Sequence, residues 1–198
     1  MVLHGMKLTR TIAKNNILKV LNSDSQFGLL DWYTDAHEEC TELWTLSPLY
    51  LCQIVGVVAA LSPMKSWSQN IIQARKMILT GDCGHMKSMK SKAERIMKLD
   101  RDMSYEEMKT AISDILNGNK IVSFFHNILE PNETNVVTID RHAISIAIGR
   151  KATDKEQQLT RNQYEFLAQC YQYTAEGLGM TASKLQGITW SNYRGTNK

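Results

Sequence analysis

An all-α fold follows from three features of the sequence. Apolar residues recur at the helical period along almost the whole chain, recognisable helix-start and helix-stop residues punctuate that pattern, and a single short run reads as extended backbone. The chain has 198 residues. A chain of that size buries about 70% of its unfolded surface and needs no disulfide or metal to fold, so it is read as one compact domain spanning 1–198.

The elements follow in order. Leu8 to Leu21 carries apolar residues at Leu8, Ile12, Ile17, Leu18 and Leu21 and stops at Asn22-Ser23. Asp31 to Thr45 is amphipathic. Ser47-Pro48 supplies an N-cap and a proline for a helix from Pro48 to Leu61, which is apolar almost all round and therefore expected at the centre of the core. After Ser62-Pro63 a helix runs from about Ser66 to Leu79 and closes at Gly81. Gly81 to Lys92 is Met-rich and basic and reads as a loop or short irregular helix. Ser104 and Glu107 form a capping box for a helix to Leu116, Asn117-Gly118-Asn119 is a tight turn, and Lys120 to Leu129 is the next helix. Pro131 to Asn135 is a loop and Val136 to Ile139 the extended run. Helices over Ile139–Ile148, Thr160–Gly177 and Ser183–Tyr193 complete the chain.

Composition narrows the function classes. Hydrophobic residues make up 43% and charged residues 22%, which excludes a wholly disordered chain. The net charge is only +3, so a nucleic-acid partner would have to meet a local basic face. The most apolar run, Leu49 to Leu61, is interrupted by Gln53 and is too short to cross a bilayer. No apolar stretch follows Lys7 and Arg10 as a signal peptide would require. An intracellular, cytoplasmic protein with no membrane partner is expected. Cys40, Cys52, Cys83 and Cys170 are scattered and read as reduced thiols filling the core.

The informative segment is 105–149. Two amphipathic helices flank a turn in which Gly118 permits positive φ, and Lys120 stands at the start of the second helix, whose free N–H groups can hold a phosphate. Twenty residues further on, Asp140 opens Ile139-Asp140-Arg141-His142 and a helix that ends at Gly149. An aspartate that opens a helix is commonly an N-cap and a lysine after a turn is commonly solvated, so neither residue is informative without the rest of the constellation. It resembles the helix–hairpin–helix DNA glycosylase superfamily, which contains endonuclease III and the 8-oxoguanine DNA glycosylases. Ala59-Ala60-Leu61-Ser62-Pro63, with Trp67 and Asn70, looks like the early helices of its divergent members.

That resemblance implies a two-lobed helical bundle and a base-excising enzyme of DNA repair, a monomer acting on duplex DNA that carries a damaged or modified base. Asp140 would stabilise the positive charge that builds on the sugar as the N-glycosidic bond breaks. Lys120 would attack the anomeric carbon and give AP lyase activity through a Schiff base. Two departures stand out. The usual Leu-Pro-Gly-Val-Gly hairpin is replaced by Leu116-Asn117-Gly118-Asn119, and the four-cysteine iron–sulfur motif is absent, so no cofactor is expected.

A flipped base needs aromatic or apolar walls and polar readers. Trp32, Tyr33, Trp67, Phe124 and Trp190 are the candidate walls, and His37, Asn70, Asn127, His142 and Gln186 the candidate readers. Gly118, Asn119, Lys87, Lys90, Lys92, Arg141 and Arg194, with Arg150 and Lys151, are the candidate backbone contacts. Two other readings keep the same residues: a non-catalytic helix–hairpin–helix DNA-binding protein, and an enzyme that modifies a DNA base on a glycosylase-like scaffold. A zinc site from His37-x-x-Cys40 and Cys83-x-His85 is the competing metal pattern, but its second spacing is unusual and no metal is expected.

Overall fold

The computed structural model describes residues 1–3, 5–23, 32–84, 86–131 and 133–196. Among them run β1 (Val2–Leu3), β2 (Met6–Lys7), α1 (Arg10–Leu21), α2 (Trp32–Trp44), α3 (Leu51–Leu61), α4 (Trp67–Thr80), α5 (Lys87–Met97), α6 (Tyr105–Leu116), α7 (Asn119–Leu129), α8 (Arg141–Ile148), α9 (Arg161–Glu176) and α10 (Ala182–Thr196). The protein is all-α apart from the small antiparallel pairing of β1 with β2. The chain divides into two compact units, residues 1–34 with 130–198, and residues 35–129. No helix among the described residues is long and apolar enough to cross a membrane.

In the first unit α1 packs on α8, α9 and α10. Its core joins Leu3, Leu8, Ala13 and Ile17 to Val137, Ile139, Ile144, Ala147, Leu167, Tyr171 and Leu185. Every residue of α8 from Ala143 to Ile148 is buried, so this short helix is the axis of the unit. Asn16 of α1 donates to the Ala147 carbonyl at 2.9 Å, close to Gly149, whose φ of 77° ends α8 in the left-handed region.

In the second unit α3 takes the central place. Cys52 through Leu61 are all buried, as its all-round apolar sequence predicts, and α4, α5, α6 and α7 pack around it. Gly56 lets α3 approach Ile112 of α6, since a Cβ there would lie 2.8 Å from the Ile112 Cγ2.

Three local readings are corrected and one is borne out. α3 begins at Leu51 and not at Pro48: Ser47 Oγ accepts from Leu49 N–H in a turn, and Gln53 Oε1 accepts from the Tyr50 N–H and fixes the later start. The basic 81–92 stretch leads into a regular helix, α5, because Ala93 and Ile96 bury one face against α3. Val136 to Ile139 is extended, as the sequence predicts, with no sheet partner among the described residues. The Tyr164 hydroxyl takes the place of a partner strand, donating to the Val137 carbonyl at 2.9 Å and accepting from the Ile139 N–H at 3.1 Å. The β1–β2 hairpin was not expected, its strands being two residues each and too short for a periodic signal. Asp31, placed at the start of the second helix by the sequence, lies outside the described residues.

A candidate active site around Asp140

The loop leading to Asp140 is held from several sides. Gln172 Nε2 donates to the Asn135 carbonyl at 2.9 Å, Asn135 Oδ1 accepts from the Ala182 N–H at 3.1 Å, and Ser183 Oγ donates to the Thr134 carbonyl at 3.0 Å. With the Tyr164 contacts, these fix the backbone up to the residue before Asp140.

Asp140 is the N-cap of α8. Its Oδ1 accepts from the His142 and Ala143 N–H groups at 3.0 and 2.8 Å, which satisfies the free donors of the first turn. Its Oδ2 accepts from the indole Nε1–H of Trp190 at 3.3 Å. Trp190 is framed by aromatic and cationic groups. The Trp32 ring lies 5.4 Å away, the His142 ring meets it edge-on at 6.1 Å, and the Arg194 guanidinium stacks over it at 4.6 Å. Trp32 meets Tyr33 at 5.1 Å in a T-shape, and the Tyr33 hydroxyl donates to Gln186 Oε1 at 2.6 Å. Gly187 leaves room for the Tyr33 ring, because a Cβ there would sit 3.4 Å from it. Arg141 donates through Nε to His142 Nε2 at 3.3 Å, and His142 also lies 6.0 Å from the Tyr193 ring.

The first unit therefore gathers eight candidates of the sequence into one cluster: Asp140, Trp32, Tyr33, His142, Arg141, Arg194, Trp190 and Gln186. Beneath it Tyr171 is fully buried and donates to the Ala143 carbonyl at 3.2 Å. Burial, with the charge of Asp140 adding to it, raises its phenol pKa well above the ordinary value, so Tyr171 stays a neutral structural donor.

The other candidates belong to the second unit. Lys120 is exposed in the first turn of α7. The turn before it has Asn117 at φ 45° and Gly118 at φ 125°, and Lys92 Nζ donates to the Leu116 carbonyl at the end of α6. Lys92 thus closes a helix end. Lys90 is likewise engaged, pairing with Asp82 at 3.0 Å and Glu94 at 3.8 Å, while Lys87 and Asn119 are exposed. Trp67 donates to Glu39 Oε1 at 2.7 Å, and His37 Nδ1 lies 2.9 Å from the Ile128 carbonyl. Asn70 is buried and donates to the Val58 carbonyl at 3.1 Å, Asn127 is buried, and Phe124 is half-buried.

A family pattern matches residues 4–197, almost the full length. The chain belongs to DUF7178, a family of unknown function. No curated protein and no solved structure matches it.

Two groups outside the first reading complete the description. Met64 sits in the turn between α3 and α4 with φ 62° and 91% of its surface exposed. A methionine inside the five-residue turn between α3 and α4 was the available signal. The second is the bond from Trp190 to Asp140, which spans fifty residues and has no signature in local periodicity. No group of three His, Cys, Asp or Glu able to hold a metal occurs among the described residues; His85, part of the competing zinc pattern, lies outside them. All four cysteines are buried free thiols. Burial, helped by Glu39, pushes the Cys40 thiol up to about 12, and burial pushes Cys170 up to about 11, so both are inert core groups.

Proposed function

We propose that the protein is a DNA glycosylase that releases a damaged or modified base flipped out of DNA, as its helix–hairpin–helix-like turn and helix-opening aspartate suggest. One observation carries the reading. Asp140 uses one carboxylate oxygen to start α8 and holds the other among Trp190, Trp32 and His142, where a carboxylate beside aromatic walls can face an unstacked nucleotide. In the reaction the N-glycosidic bond breaks and its electron pair leaves with the base. The Asp140 carboxylate offsets the positive charge that spreads over the sugar ring oxygen and anomeric carbon, and water adds to that carbon.

AP lyase activity would add attack by the Lys120 amine on the anomeric carbon, then elimination of the 3′ phosphate. One finding favours a second reading, a glycosylase without lyase chemistry. Lys120 is exposed, whereas amine nucleophiles are made by desolvation, so Lys120 suits contact with a backbone phosphate.

The test is a panel of duplexes, each carrying one modified base, with released bases and remaining nucleosides read by mass spectrometry. Asp140→Asn should lower base release by about 100-fold or more while the protein stays folded, because asparagine still caps a helix. Release at the wild-type rate would overturn the glycosylase reading, and an altered nucleoside without an abasic site would replace it with base modification. Borohydride trapping that disappears in Lys120→Gln would establish the lyase step. Base release without trapping would leave the monofunctional enzyme.

A further inference from the structure

We propose that Trp190 is a positioning residue for Asp140. The kinetic consequence rests on the glycosylase reading; the geometry does not. A helix N-cap needs one acceptor oxygen, and Asp140 Oδ1 already accepts from both the His142 and Ala143 N–H groups. Nothing in capping requires a donor on the second oxygen. Trp190 nevertheless brings its indole N–H to Oδ2 from α10, fifty residues along the chain.

The indole is itself restrained. Trp32 lies against it at 5.4 Å, His142 meets it at 6.1 Å, and Arg194 covers it at 4.6 Å. A carboxylate held by N–H donors at both oxygens loses rotation about its Cβ–Cγ bond, so the remaining lone pairs of Oδ2 keep one direction. Catalysis gains when the charged group is already oriented before the substrate arrives, since reorienting it during reaction raises the barrier. Trp190 does this through its bond to the carboxylate, whatever further contact its ring makes with the base.

Two measurements test the assignment on the full chain. The first is spectroscopic and needs no substrate. The Trp190 indole ¹H–¹⁵N resonance, identified by its loss in Trp190→Phe, should move in Asp140→Asn, where the carboxylate is replaced by a weaker neutral acceptor. An unmoved resonance would overturn the proposal. The second is kinetic. Trp190→Phe keeps an aromatic ring and removes the donor, and should lower kcat by about 10- to 100-fold with KM for DNA unchanged. An unchanged kcat, or a rise in KM alone, would overturn it. A matching thermal unfolding midpoint for Trp190→Phe excludes a folding defect; if that variant unfolds, Trp190→His, which restores a ring N–H, should recover turnover, and failure to do so counts against the proposal. Should the wild-type protein release no base from any duplex, the glycosylase reading falls and the resonance alone decides whether Trp190 holds Asp140.

Discussion

The starts of α7 and α8 are the two places that the sequence singles out, and they are built in opposite ways. α7 begins after two consecutive positive-φ residues, Asn117 and Gly118, and both Asn119 and Lys120 are exposed. α8 begins at a carboxylate whose two oxygens are engaged by three N–H groups, one of them from α10. The first start is made by local backbone geometry and leaves Asn119 and Lys120 exposed to a large partner. The second is fixed by side chains brought together from distant parts of the chain. An exposed helix start suits phosphate contact. A restrained carboxylate suits chemistry, because its orientation is set in advance.

The contrast can be broken at each end. The largest expected effect is the loss of base release in Asp140→Asn, since it removes the charge on which the α8 side of the comparison depends. Next is Gly149→Ala, at the far end of α8. Here φ is 77° and a Cβ would lie 2.9 Å from the Asn16 carboxamide that holds the Ala147 carbonyl. Left-handed strain and overpacking together should lower stability by about 2 kcal/mol or more, read by denaturant unfolding. Gly118→Ala should cost about 1 kcal/mol, because only the backbone angle is strained and the nearest side-chain atom, Ile121 Cγ2, is 3.9 Å away. Equal losses at the two glycines would mean that the α7 turn is as tightly packed as the end of α8.

The smallest effect separates Asp140 from another engaged carboxylate in its unit, Glu156. Glu156 accepts from Arg150 at 2.6 and 2.9 Å and from the Thr153 N–H and hydroxyl at 2.9 Å each, so its oxygens are fully committed to structure. The Arg150 guanidinium, with the Thr153 N–H, holds its carboxyl at about 2, below the ordinary 4.5. A carboxyl lowered by folding stabilises the protein above its unfolded value and loses that contribution as pH falls toward the folded value. Thermal unfolding followed from about pH 5 to pH 2 should therefore show a decline that is shallower in Glu156→Gln. An unchanged slope in Glu156→Gln would show that the pairing contributes nothing to acid sensitivity. The pairing also means that Arg150 has a structural partner, whereas Arg194 is stacked on Trp190 beside Asp140.

Helix ends were the most readable part of the fold. Ser66, Ser104, Asp140 and Thr160 each cap the helix they were read as opening, and Gly81 and Gly149 each close one at positive φ. α5 was less readable because three lysines in its sequence hide a narrow apolar face made by Ala93 and Ile96. The candidate site was readable as a set of residue types and not as a cluster. Trp32, Tyr33, His142 and Arg194 proved to be neighbours of Trp190 or of one another, while Trp67, His37 and Asn70 are tied to Glu39, Ile128 and Val58 in the other unit.

What the sequence determined by itself were the local features: caps, turns, and the all-round apolar surface of α3. A side-chain oxygen reaches the next turn of its own helix wherever that helix ends up, so these survive any change in packing. The tertiary structure alone decided which lysines are spent on structure, how the loop before Asp140 is held, and that an indole from α10 meets the second oxygen of that aspartate. Those contacts join residues up to fifty positions apart, and no local pattern specifies them, because they arise only when the helices of a unit close on one core.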